Sequence, residues 1–196
     1  NNAGIMNRER NETVDGLEEV FSVNHLAYFT FTLMLSDKLK HTEGSRVINV
    51  ASGAHQFVKN MNFDDLQSKE NYKPMQVYGQ SKLANILFTK ALSTKLSDFG
   101  VTVNCLHPGF VSTGIGSNNN KTLWTFLMFL AKPFARKTDK GAETSIYLCS
   151  SPEVENISGE YFVDCKIEKI SEAAKSTEQS ESLWKISTEL TGIDLN

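Results

Sequence analysis

The sequence "YGQSKLANILF", residues 78–88, combines a helical apolar pattern with a tyrosine and a lysine four positions apart. Residues i and i+4 are neighbours on a helix, so Tyr78 and Lys82 would lie on the same side of one turn. The apolar positions of this segment and its continuation form two adjacent stripes, Leu83/Leu87/Ala91 and Ala84/Phe88/Leu92/Leu96. Such a wide apolar face predicts a helix that packs on a sheet.

Short β-branched runs lie on both sides of this helix and are typical of strands buried on both faces. Gly100 is expected to end the helix just before the second run. The predicted strands are Arg46–Ala51, Val101–Leu106 and Glu160–Val163, and further helices are predicted at Val14–Lys40 and Asp139–Ser150. Strands that alternate with helices predict an α/β fold with a parallel sheet and right-handed crossovers. No repeat or linker divides the chain, which indicates one domain.

Composition excludes several classes of function. The 196 residues are 40% hydrophobic and 22% charged, which is typical of a folded globular domain. A net charge of −3 and the lack of a long basic run argue against nucleic acid as a partner. The longest apolar run, residues 123–131, is far shorter than the roughly 20 residues that cross a bilayer. Three widely spaced cysteines, Cys105, Cys149 and Cys165, favour free thiols in a reducing, intracellular compartment.

Polar residues follow the predicted strands at the edge where open α/β sheets bind ligands. Ser52 comes directly after the first strand, and Pro108-Gly109 comes after the second. Tyr78 begins the helix between the two strands. Asn24 stands within the apolar stripe of the first long helix, where its amide requires a partner. These positions are the candidate site.

The Tyr78–Lys82 pair suggests acid–base chemistry. A free phenol has a pKa near 10, and a neighbouring ammonium favours the phenolate and so lowers that pKa. A Tyr-x-x-x-Lys pattern also arises by chance in a chain with many lysines, and the alternative is ordinary helix packing.

The order of these features resembles the short-chain dehydrogenase/reductase family. The matching segments are Asn-Asn-Ala-Gly at residues 1–4, Asn24, Ser52, Tyr78 to Lys82 and His-Pro-Gly-Phe-Val-Ser-Thr at residues 107–113. "LHPGFVST", "KGAETSIYLCSSPEVENISGEYFVDCK" and "LWKIS" are similar to the retinol dehydrogenase branch. The resemblance implies a Rossmann-type doubly wound parallel sheet. Residues 1–196 would form its C-terminal two-thirds as a single partial domain, with the first βαβ units missing.

The resemblance also implies a role for each candidate catalytic residue. Tyr78 would be the general acid toward a carbonyl, or the base in the reverse direction. Ser52 would donate a hydrogen bond to the reacting oxygen. Lys82 would lower the pKa of the phenol and hold the nicotinamide ribose. Asn24 would interrupt its helix to seat a water of the proton relay.

The implied cofactor is NADP, with NAD as the alternative. Its adenosine side would lie along Asn2, Ala3 and Gly4, and its nicotinamide end would contact Tyr78, Lys82, Pro108, Gly109, Val111 and Thr113. The family's glycine-rich pyrophosphate turn, Thr-Gly-x-x-x-Gly-x-Gly, does not occur in the sequence. We therefore expect an N-terminally truncated chain. A non-catalytic binding or interaction fragment is the alternative function, and an epimerase of the extended family is a third.

Residues 114–137 are expected to form a substrate lid, whose aromatics suit a lipophilic alcohol or carbonyl such as a retinoid, a steroid or a fatty aldehyde. His55, Asp64 and Asp65 are interpreted as solvated loop residues without metal-ligand spacing, so no metal is predicted. The wide apolar helix faces are compatible with a homodimer. Relatives often carry an N-terminal membrane tether, so localisation is expected to be cytoplasmic or on the cytosolic side of a membrane.

Overall fold

The structure, a computed structural model, describes residues 1–109 and 138–195. Its helices are α1 (Glu19–Phe21), a π-helical turn (Ser22–Leu26), α2 (Ala27–Met34), α3 (Ser36–Lys40), α4 (Pro74–Lys95), α5 (Thr138–Ser150), α6 (Glu172–Lys175) and α7 (Thr177–Thr191). Its strands are β1 (Arg46–Val50), β2 (Thr102–His107), β3 (Tyr161–Val163) and β4 (Lys166–Ile167). Short 3₁₀ helices cover Gly53–Phe57, Ser97–Phe99 and Pro152–Val154.

The sheet is parallel through its first three strands, as predicted. The strand order is β1-β2-β3-β4, with Arg46 opposite Thr102 and Cys105 opposite Tyr161. The short β4 pairs antiparallel with β3. Neither β4 nor helices α6 and α7 were predicted from the sequence.

The crossover helices lie on opposite faces of the sheet. Alternate residues of a strand face opposite sides, and Val47 and Val103 pack with α4 whereas Leu106 and Phe162 pack with Leu148 of α5. The strands nevertheless advance in one direction, from β1 to β3. A crossover with its helix on one face and a crossover with its helix on the other face then have opposite handedness. The prediction of right-handed crossovers therefore holds for at most one of the two.

Local capping explains where the long helices begin and end. The predicted helix at Val14–Lys40 begins only at Glu19, because the Glu18 carboxylate accepts hydrogen bonds from the amides of Val20 and Phe21 at 2.9 and 2.6 Å. It is divided further by the π-helical turn and by a break at Leu35. Pro74 occupies the first turn of α4, where its missing N–H costs nothing.

Gly100 does not end α4 directly, which corrects the prediction. The helix stops at Lys95, and the 3₁₀ turn Ser97–Phe99 intervenes. Gly100 ends that turn with a φ of 69°, in the left-handed region that glycine tolerates. The chain then enters β2 two residues later.

The core on the α4 face holds the site in place. Leu83, Leu87 and Leu92 of α4 are fully buried, which confirms the predicted apolar face. Helix α7 covers the other side of α4 through Leu183 and Trp184. Helix α4, which carries Tyr78 and Lys82, is therefore held between the sheet and the C-terminal helix.

Candidate active site

Ser52 and Tyr78 meet at the carboxyl end of β1. Ser52 caps the 3₁₀ helix Gly53–Phe57, and its Oγ accepts a hydrogen bond from the Ala54 amide at 3.2 Å. Its side chain also lies near enough to the phenol of Tyr78, in the first turns of α4, to lower the pKa of that phenol. The structure therefore brings together a hydroxyl and a phenol that the sequence separates by 26 positions, 52 and 78.

Lys82 is an almost fully buried cation at the same place. Its side chain is 3% exposed, and its Nζ donates to the Val50 carbonyl at 3.0 Å. The same Nζ lies 5.6 Å from the ring centre of Tyr78 and 5.9 Å from that of Tyr28, both within cation–π range. Burial lowers the pKa of Lys82 from 10.5 to about 8.

The pKa of Tyr78 moves opposite to the sequence prediction. Burial raises the pKa of the phenol above 10, and the side chain of Ser52 opposes that rise only in part. The ammonium of Lys82 lies 5.6 Å from the ring centre of Tyr78, and burial of the phenol is the larger influence on its pKa. The phenol of Tyr78 is therefore protonated at neutral pH.

Asn24 lies in the π-helical turn Ser22–Leu26, so the helix is interrupted where the sequence analysis placed an interruption. Its Oδ1 accepts from the Ile5 amide at 2.8 Å, and its Nδ2 donates to the Ile5 carbonyl and to Ser81 Oγ, both at 3.0 Å. These bonds answer the question of what satisfies the buried amide. They use both side-chain N–H groups of Asn24. A water of the expected proton relay would therefore be bound mainly by main-chain groups of the π-helical turn.

The N-terminal segment runs along this site. Asn1 pairs with β1 through its amino group to the Ile48 carbonyl and its own carbonyl to the Val50 amide, both at 2.9 Å. Asn2 and Ala3 are exposed, and the Ala3 carbonyl accepts from the phenol of Tyr28 at 2.8 Å. A Cβ on Gly4 would lie 3.5 Å from Lys82 Nζ and 3.6 Å from Asn24 Oδ1, so the glycine leaves that space open.

Pro108 and Gly109 follow β2 directly and are half-buried. Gly109 has a φ of 81°, which a side chain would disfavour. Val111, Thr113 and the expected lid at residues 114–137 lie outside the described residues, so their roles remain predictions.

His55 contradicts its interpretation as a solvated loop residue. The imidazole is fully buried, because the loop folds under β3 and the segment that leads to α6. Asp64 is exposed as expected, and Asp65 accepts hydrogen bonds from the amides of Lys69 and Glu70. Within residues 1–109 and 138–195, no three His, Cys, Asp or Glu side chains converge in a way that could hold a metal ion.

Three residues of the site were missed in the sequence. Ser81 Oγ donates to the Tyr78 carbonyl at 2.8 Å while it accepts from Asn24. Tyr28 ties α2 to the N-terminal segment, and a Cβ on Gly79 would meet the Ala54 carbonyl at 2.9 Å. Tyr28 is four positions after Asn24, and Gly79 and Ser81 lie within the Tyr-Lys turn, so helical spacing was the signal that could have found them.

Known proteins are similar to this chain in both sequence and fold. A family model described as short chain dehydrogenase matches residues 1–124. Retinol dehydrogenase 12 of Mus musculus is 41% identical over 193 residues, which is 98% of this chain and 60% of that protein. Retinol dehydrogenase 14 of Homo sapiens is 43% identical over 195 residues, or 98% of this chain and 58% of that protein. The chain thus spans about 60% of the length of these relatives.

Solved structures agree with this relationship. The crystal structure of an uncharacterized protein from Mycobacterium paratuberculosis is 28% identical and superposes with a TM-score of 0.77 over 100% of this chain and 66% of that one. A short chain dehydrogenase from Burkholderia cenocepacia in complex with NADP, 24% identical, has a TM-score of 0.60 over 90% of this chain and 64% of its own, which shows the Rossmann-type α/β fold. Together with the family model, these likenesses show that the chain belongs to the short chain dehydrogenase family and resembles its retinol dehydrogenases.

Proposed function

We propose that the protein interconverts an alcohol and a carbonyl with a nicotinamide cofactor, NADP in the first instance and NAD as the alternative. The observation that carries this proposal is the convergence of the Ser52 hydroxyl, the Tyr78 phenol and the buried Lys82 ammonium at the carboxyl end of β1. A purely structural helix–sheet contact has no need for a cation with a desolvated side chain at that place.

In the reducing direction, Tyr78 supplies the proton. Its pKa lies above 10, so the phenol carries its proton at neutral pH and can pass it to a carbonyl oxygen. The Ser52 hydroxyl accepts from the Ala54 amide, which anchors its Oγ while its own hydrogen can stabilise the same carbonyl oxygen. The Lys82 ammonium over the Tyr78 ring stabilises the phenolate that forms when the proton leaves. The alcohol oxidation uses the same groups in reverse.

The residues present fit the nicotinamide end of the cofactor. Within residues 1–109 and 138–195, Lys82 makes one hydrogen bond, which leaves two of its three N–H groups for ribose hydroxyls. Gly4 leaves space beside that ammonium, and Pro108 and Gly109 border the same end of the sheet. When bound, the cofactor supplies the hydride, and the protein orients it and provides the proton.

A lipophilic substrate is the proposed class. Its support is the similarity to proteins named retinol dehydrogenases and the aromatic content of residues 114–137, which include Trp124, Phe126 and Phe129. Retinol, a steroid alcohol and a fatty aldehyde are the representatives to test. The free cysteines favour a reducing compartment, and among the described helices none has the length and apolar character to span a bilayer.

Cofactor binding separates this proposal from a non-catalytic interaction fragment. The folded protein is titrated with NADPH and with NADH, and the fluorescence of the nicotinamide measures binding. We expect saturable binding that Lys82→Ala weakens. If the protein binds neither cofactor and converts none of the three substrate types, the non-catalytic alternative is correct and the proposed function is wrong.

The catalytic role of Tyr78 is tested by Tyr78→Phe. The ring keeps its packing but loses the proton donor, so turnover should fall by about 10² or more while NADPH affinity hardly changes. Tyr147→Phe is the matched control, because this phenol bonds Glu153 on the α5 face of the sheet. Steady-state oxidation of retinol and reduction of retinal by product chromatography give the rates. Near-parental turnover in Tyr78→Phe would remove Tyr78 from the mechanism.

A further inference from the structure

His55 occupies the turn that directly follows Ser52. The imidazole Nδ1 lies 2.8 Å from the Ser52 carbonyl oxygen, and Nε2 lies 3.3 Å from the Ser171 amide nitrogen. The ring packs edge-on against Tyr161 of β3, with 5.3 Å between ring centres. The side chain is fully buried, so these three contacts define its position.

The partners fix the tautomer of the ring. The Ser52 carbonyl can only accept, so Nδ1 must carry the hydrogen. The Ser171 amide can only donate, so Nε2 must be bare. Both ring nitrogens of a neutral imidazole are then satisfied, in keeping with burial, which lowers the pKa of His55.

The same turn is held from its other side by α4. A Cβ on Gly79 would lie 2.9 Å from the Ala54 carbonyl oxygen, so the turn and the helix are in close backbone contact next to Tyr78. The turn Gly53–Phe57 therefore lies between α4 on one side and Tyr161 of β3, which the His55 ring contacts, on the other. Its position sets where Ser52 Oγ lies relative to the phenol of Tyr78.

We propose that His55 is a positioning residue for Ser52: its Nδ1–H holds the Ser52 peptide, while Nε2 and the Tyr161 contact tie it to the C-terminal part of the chain. The inference rests on the proposed oxidoreductase function and deepens it. Because the Ser52 backbone is anchored on one side by His55, loss of that hydrogen bond should misplace the hydroxyl without removing it. Among the described residues, the hydrogen bonds and ring contact of the His55 side chain go to Ser52, Ser171 and Tyr161, and none goes to Tyr78 or Lys82.

Two substitutions separate the two bonds of the ring. His55→Asn keeps an N–H near the position of Nδ1 and loses the acceptor for Ser171. His55→Gln keeps an acceptor near the position of Nε2 and loses the donor to Ser52. We expect kcat to fall about tenfold to a hundredfold in His55→Gln but less than about threefold in His55→Asn, with NADPH affinity unchanged in both, since misplacement of about 1 Å at a reacting group has costs of that order.

A merely structural role predicts the reverse pattern or none. Each variant loses one buried bond, so both should lose stability in urea unfolding, and their kcat values should not differ. Equal kcat values in the two variants, or parental kcat in His55→Gln, would overturn the proposal. If the parent protein itself shows no alcohol dehydrogenase activity, that result refutes the proposed function and not the role of His55.

The tautomer provides a readout that does not depend on activity. The sequence has four histidines, so the ¹⁵N–¹H correlation spectrum of the imidazoles at pH 7.5 is simple, and the His55 ring of the parent protein is assigned by through-bond correlation to its own backbone signals. We expect the neutral Nδ1–H form. A neutral Nε2–H form would remove the hydrogen bond to Ser52 and with it the proposal, even if both variants fail to fold.

Discussion

Lys82 is a buried ammonium with few compensating contacts. The Val50 carbonyl and the faces of two phenol rings offset part of the cost of removing the charge from water. Because burial still lowers its pKa to about 8, the folded protein binds one proton fewer than the unfolded chain at pH values between about 8 and 10.5. Lys82 therefore reduces stability below pH 8, and this cost disappears as the pH rises through that window.

Lys82→Met makes this linkage measurable. The free energy of unfolding of the parent protein should rise relative to that of Lys82→Met by up to about 3 kcal/mol between pH 7 and pH 10, the value that a shift of this size implies. Urea unfolding at pH 7, 8, 9 and 10 gives the difference. Lys69→Met, which removes an exposed lysine, is the control for loss of charge. A constant difference between parent and Lys82→Met would contradict the lowered pKa of Lys82.

At the scale of elements, the contact between α4 and the 3₁₀ helix Gly53–Phe57 determines the spacing of the catalytic pair. Glycine at position 79 permits it, because a Cβ there would meet the Ala54 carbonyl at 2.9 Å and Val58 Cγ1 at 3.3 Å. The 2.9 Å contact involves backbone on the partner side and cannot be relieved by a rotamer change. Either the turn or the helix would have to shift.

Gly79→Ala tests this contact. In an ordinary helix interior the change stabilises by roughly 0.5–1 kcal/mol, so a net loss of about 1 kcal/mol or more would show that the close contact outweighs helix propensity. Turnover should fall about tenfold, since the displaced turn carries Ser52. Thr94→Ala on the exposed side of α4 is the matched control and should keep turnover. A more stable, fully active Gly79→Ala protein would show that the turn adapts without cost.

Elements with a local period could be predicted from the sequence, and those that depend on distant partners could not. Tyr78 and Lys82 were found because one helical turn fixes their spacing, and Ser52 because a strand ends beside it. His55 was misread since its burial depends on Ser171, 116 positions along the chain. The interruption at Asn24 was expected from the family resemblance alone, since no period in the sequence reveals the bonds of Asn24 to Ile5.

At the scale of the whole molecule, His25 connects the N-terminal helices to the C-terminal one. Its Nε2 lies 2.8 Å from Ser187 Oγ of α7, and its ring packs among Phe21, Phe29 and Phe88. Burial lowers the pKa of His25 to about 3, although the side chain of Asn85 opposes the shift. The unfolded chain therefore binds the extra proton between about pH 6.5 and 3, and stability falls as the pH falls through that window.

His25→Gln isolates this contribution, since Gln can still bond Ser187 but does not titrate. Between pH 7 and pH 5 the parent should lose about 2 kcal/mol more stability than His25→Gln, from a slope of about 1.4 kcal/mol per pH unit below 6.5. His55 contributes to acid sensitivity in both proteins and cancels in the comparison. His41→Gln, at an exposed site, is the control. Equal losses in parent and His25→Gln would refute a neutral buried imidazole.

In the described part of the chain, the outer edge of β1 is paired over part of its length and one face of α2 is uncovered. Along that edge, within residues 1–109 and 138–195, β1 is paired through the main chain of Asn1. Phe31 and Met34, one helical turn apart on α2, are 60% and 71% exposed, and Leu35 beside them is 39% exposed. Open strand edges and contiguous apolar side chains both promote association.

We therefore expect the 196-residue chain to self-associate, whether as a homodimer or as larger species, with the apolar face of α2 as the main cause. Phe31→Ser combined with Met34→Ser should shift the population toward the monomer, because it removes the exposed apolar surface and leaves the β1 edge unchanged. Size-exclusion chromatography with light scattering over a tenfold range of concentration measures the mass of parent and variant. The matched control is Phe57→Ser, which removes a side chain that is also 60% exposed but lies on the 3₁₀ turn after Ser52. A parent chain that stays monomeric at every concentration would show that neither surface drives association. If the double variant associates as strongly as the parent, the β1 edge and not the α2 face is the main cause.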